Sequence, residues 1–89
     1  MIDKTSAPEA WAMFGCELGD AAEALATLLS EMEAEDFGEP EFRVRLGHVY
    51  AHLNRAWHMR DAPASAALDP SDEQRDAWTQ FPKDLEPVG

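Results

Sequence analysis

The sequence predicts an all-α fold built on a long antiparallel helical hairpin, and three observations carry that reading. Apolar residues recur at three- and four-residue steps from Trp11 through Phe14, Leu18, Ala21, Leu25, Leu28 and Met32, which is the spacing of one helix face. The stretch "DFGEPEF", Asp36 to Phe42, pairs a glycine that suits a helix end with a proline that suits a helix start. Beyond it, Phe42, Leu46, Val49, Leu53 and Ala56 repeat the same spacing, so a second helix follows after a short connection and lies antiparallel to the first.

The first helix is expected over about residues 7–35. Ser6 and Glu9 have the spacing of a capping box, and Pro8 fits the first turn, where its missing N–H costs nothing. The apolar stripe is its expected core face. A second row, Gly15, Gly19, Ala22 and Ala26, carries almost no side chain. Glycine inside a helix costs about 1 kcal/mol relative to alanine, so a close neighbour is expected there, and Trp57 is the ring assigned to it.

The second helix is expected over about 40–61, with Gly38 in the left-handed conformation that ends the first. Residues 62–70, including "APASAAL", read as a small-residue linker. Ser71 with Gln74 gives a second capping signal, so a short helix is expected over 71–80, stopped by Pro82 and followed by an extended tail over 81–89. Leu68, Trp78, Phe81, Leu85 and Val88 make that C-terminal segment apolar enough to cover one open side of the hairpin.

At 89 residues the chain is one small domain with little apolar surface to bury. Two long helices have two broad faces, and one tail covers only part of them. A homodimer approaching a four-helix bundle is therefore expected. No stretch approaches the length of about 18 apolar residues that a membrane span needs, and "MIDKTSAPEAW" has no apolar run, so a cytoplasmic location without membrane contact is expected. The single cysteine forms no internal disulfide, and the acids Glu17, Asp20 and Glu23 around Cys16 disfavour a thiolate.

The net charge of −11 is unevenly placed. From Glu9 to Asp36 there are eight acids and no base, whereas Glu39 to Asp61 holds four arginines against three acids. Such asymmetry predicts two elements side by side. It also argues against nucleic-acid binding, which needs a basic footprint.

"GHVYAHLNRAWHMRD", Gly47 to Asp61, holds all three histidines. Tyr50, Asn54, Trp57 and His58 combine an aromatic surface with polar groups, the chemistry of an interface, and are the candidate partner-binding residues. His48 and His52, one turn apart, have the spacing of two ligands to a transition metal. With Glu17 and Asp20 they form the alternative site, for a divalent metal.

One resemblance bears on that alternative. "ELGDAAEAL", Glu17 to Leu25, resembles the first metal-binding helix of all-α nucleotide pyrophosphohydrolases of the MazG type, in which acid pairs on two helices hold magnesium. The resemblance implies a magnesium role for Glu17 and Asp20. At the place of the second acid pair, "RLGHVYAHL" has Arg45 and His48 instead, whereas magnesium selects oxygen ligands. No G-x-S-x-G and no glycine-rich phosphate loop is present. The expectation is a small, acidic, non-enzymatic interaction protein, of the size and charge of an antitoxin, immunity protein or other inhibitor. Its partner presents a basic or amphipathic surface.

Overall fold

A computed structural model describes all residues, 1–89, and its regular structure is all α-helix, with no strand. Its elements are α1 (Pro8–Glu31), α2 (Glu39–Met59), α3 (Ala64–Leu68) and α4 (Asp72–Thr79). The two long helices form the hairpin, α3 packs on α1, and α4 packs on α2. None of the helices is long and apolar enough to cross a membrane.

α1 begins with Pro8, but Ala7 is its N-cap and no side chain caps it. Ser6 is held instead by Asp3, whose carboxylate accepts from the Ser6 hydroxyl at 2.8 Å and from the Ser6 and Thr5 amides. The expected Ser6–Glu9 capping box does not form, because Asp3 takes the serine first. Its C-terminus also falls short of the expected position. Glu31, Glu33, Glu35 and Asp36 crowd the end where the helix dipole is negative, with no base in the last turn. Residues 32–37 form turns instead, closed by bonds such as Phe37 N to Ala34 O.

Gly38 departs from expectation too: it is extended (φ −145°) and serves as the N-cap of α2, while Glu41 accepts its N–H at 3.1 Å. Pro40 takes up the first turn as read. The segment expected to be linker contains α3, because Pro63 can act as an N-cap and Ala64, Ala66 and Ala67 have the highest helix propensity. Ser71 caps α4 by accepting from the Gln74 amide at 3.1 Å. The final residues, from 81 on, have no regular structure.

Only 12 of the 89 residues are buried. The core is a cluster of Ile2, Ala10, Met59, Ala67 and Trp78, supported by Trp11, Phe14, Ala62 and Ala66. It gathers the start of α1, the end of α2, α3 and α4 at the open end of the hairpin. The N-terminus is tied to the same end, with Ile2 N donating to Arg60 O at 2.6 Å and the terminal ammonium 2.8 Å from Asp61.

The face that α1 turns to its neighbours is rotated by about one residue from the expected stripe. Its covered residues are Ala10, Trp11, Phe14, Glu17, Ala21, Ala24, Leu28 and Glu31. Trp11, Phe14, Ala21 and Leu28 belong to the predicted seam, whereas Leu18 (46%), Leu25 (43%) and Met32 (50%) are exposed. The rotation brings Glu17 and Glu31 to α2, where each meets an arginine. Trp57 does not fill the glycine row: open space lies over both Gly15 and Gly19. Its indole points to the C-terminal segment instead.

Candidate functional site

Two faces of α2 carry the chemistry. On one, α1 and α2 enclose a groove of about 380 Å³ lined by Asp20, Glu23, Ala24, Thr27, Arg45, His48 and His52. On the other, α2 receives α4 and the C-terminal segment.

The groove face is anchored by Glu17. His52 Nδ1 donates to Glu17 Oε2 at 2.7 Å, and Arg55 Nε donates to Glu17 Oε1 at 3.1 Å. Both carboxylate oxygens are therefore engaged. Arg55 also reaches Thr79 Oγ1 at 3.1 Å, so one guanidinium ties α1, α2 and α4 together. His52 and Arg55 are buried, and burial makes such a network costly to break, because removing one partner leaves the other charge uncompensated. His48 stacks edge-on against His52, with ring centroids 4.7 Å apart. Farther along, Arg45 Nε donates to Glu31 Oε2 at 2.6 Å.

Of the four residues read as metal ligands, Asp20, His48 and His52 line the groove, while Glu17 is bonded beside it to His52 and Arg55. No three His, Cys, Asp or Glu side chains are gathered as a metal-ion site. Glu17 compensates Arg55 and leaves no oxygen unbonded.

The four residues read as a partner-binding surface do share one face, and the chain's own C-terminal segment occupies it. Asn54 Nδ2 donates to Thr79 O at 2.9 Å, and His58 Nε2 donates to Gln80 O at 2.9 Å. Trp57 Nε1 donates to Asp84 Oδ1 at 2.9 Å, and Tyr50 stacks on Phe81 with centroids 5.2 Å apart. Arg60 lies 3.6 Å above the Trp57 ring, a cation–π contact that also brings it within 3.6 Å of Asp84. The indole N–H holds the Asp84 carboxyl below its ordinary value, with the positive charge of Arg60 acting in the same direction. The bonded backbone carbonyls of Thr79 and Gln80 belong to the last residue and the C-cap of α4, where orphan carbonyls accept side-chain donors.

Sequence reasoning missed Arg55, Thr79, Gln80 and Asp84. Arg55 had a signal, since it follows His52 by three residues on an arginine-rich helix facing an acidic one. The two cross-helix pairs, Glu17–Arg55 and Glu31–Arg45, follow the charge asymmetry of the sequence.

Compared with known proteins, the chain matches no family model, no curated protein and no solved structure.

Proposed function

We propose that this chain is a non-enzymatic protein-interaction module that works as a homodimer and binds a basic or amphipathic surface along the acidic edge of its groove. The observation that carries this reading is how the charges are used. Of 18 acids, only Glu17, Glu31, Glu39, Asp61 and Asp84 pair with a cation of the chain. Arg43, Arg45, Arg55 and Arg60 are all engaged in those pairs. Asp20 and Glu23 stand on the groove wall without one.

A cationic partner supplies the charge the chain lacks, with complementarity setting orientation and association rate more than affinity. The homodimer reading rests on a different surface, the exposed leucines of α1. Large contiguous apolar patches are rare on monomers and mark contact sites.

The groove reading is tested by titrating the full chain with a synthetic amphipathic Lys/Leu helical peptide. Asp20→Asn combined with Glu23→Gln should weaken binding roughly tenfold, as expected for two rim charges, and added salt should weaken the wild-type interaction. Equal affinity for both proteins, or binding indifferent to salt, overturns it.

A further inference from the structure

The exposed face of α1 has an internal order that selects its occupant. Leu18, Leu25 and Leu29 (59% exposed) lie on one side of a helix wheel centred on Ala22, with Gly15, Gly19 and Ala26 on the other. The two sets are mirror images about Ala22: each leucine is as far from Ala22 along the chain as one of the small residues is in the opposite direction. Open space lies over Gly15 and Gly19, so nothing in the chain itself accounts for the small side.

We infer that α1 packs against α1 of a second copy, antiparallel, about a twofold axis at Ala22. This rests on the homodimer reading above and specifies its interface. Such an axis sets Leu29 level with Gly15 of the second copy, Leu25 level with Gly19, Leu18 level with Ala26, and Ala22 level with itself. The axis keeps the leucine flanks of both copies on one side of the contact, where Leu18, Leu25 and Leu29 of one copy interleave with those of the other, and leaves the small residues of both on the opposite side, where the backbones can approach closely. The same contacts occur twice, as a closed twofold interface requires. A parallel pair would instead turn the leucine flank of one copy to the small-residue flank of the other and split the leucines into two separate rows.

Charge points the same way. The antiparallel order brings Glu33, Glu35 and Asp36 of one chain toward the amino end of the other α1, where the dipole is positive, no side chain caps the helix and Glu9 is the one acid of the first turn. A parallel order would set this acidic run against its own copy. The area is sufficient as well. A strip from Ala12 to Met32 is roughly 30 Å long, and two helices are roughly 20 Å wide. The pair thus buries on the order of 1,200 Å² in total, the lower bound of stable interfaces. The exposed Phe42 and Leu53 of α2 widen the leucine side of this strip.

Light scattering of the full chain should give twice 9.9 kDa. The register is then read by oxidation in a Cys16→Ser background. Ala22→Cys should cross-link nearly completely and Gly15→Cys should not. A mixture of Gly15→Cys chains with Leu29→Cys chains should yield the mixed covalent dimer. These positions are exposed, and the open space over Gly15 accepts a side chain. A monomeric mass overturns the homodimer and the register together. A dimer in which Gly15→Cys cross-links with itself, or in which Ala22→Cys fails to cross-link, overturns the register alone.

Discussion

The two ends of the hairpin have the same helices and opposite fates. At the open end, Ala10 and Met59 are covered by Ile2, Ala67 and Trp78, side chains brought there by both ends of the chain. At the Gly38 end, Leu25, Leu29, Met32, Phe42 and Val44 remain exposed. Two helices in contact bury only the line between them. A third and fourth helix cover the rest at one end, and nothing in the chain does so at the other. The difference teaches that an apolar stripe records how much of a helix is meant to be covered, while the cover itself is set by where the remaining chain goes.

The comparison breaks most easily at the core. Trp78→Ala removes the largest buried side chain of the hairpin's open end and should destabilise the fold by about 3–5 kcal/mol, measured by urea denaturation. A loss no larger than that of Leu29→Ala would mean that the open end, with its covering helices, is not the stabilising one. Next comes the Glu17 network. Glu17→Ala leaves Arg55 buried without its carboxylate and should cost about 3 kcal/mol. Glu17→Ala together with Arg55→Met should recover part of that loss, since the stranded charge is gone. No recovery would show that the cost comes from elsewhere.

The smallest effect belongs to the C-terminal segment. Asp84 has a lowered pKa in the folded protein, so its contribution is complete above the ordinary value of 3.8 and is lost as the pH falls through the lowered folded value. On acidification into that range the Trp57 indole N–H resonance should shift as its bond to Asp84 is released, while the Trp78 indole stays in place. Simultaneous change of both signals would mean that the segment and core unfold together.

The hairpin, the place of its turn and the capped last helix were legible in the sequence, because the apolar spacing, Pro40 and Ser71 act locally; the role of Gly38 was not, since it starts the second helix in an extended conformation rather than ending the first. The rotation of α1 was not. Spacing ranked Leu18, Leu25 and Met32 with Leu28, and only the cross-helix pairs of Glu17 and Glu31 decide which are turned inward. The face of Tyr50, Asn54, Trp57 and His58 was recognisable as a contact surface from its residue types. Its occupant was not, because the carbonyls of Thr79 and Gln80 are backbone groups with no signature in side-chain chemistry. α3 was hidden for a related reason, since a run of small residues serves a linker or a helix equally until Ala67 has a core to enter.

The most direct test of the two-ended account is amide hydrogen exchange along α1 at two protein concentrations, one far below and one far above the dimer dissociation constant. The account predicts that residues 10–21 are protected at both, whereas residues 25–32 gain protection only at the higher one. Equal protection of both stretches at both concentrations would contradict it, because the Gly38 end would then be stable without a cover.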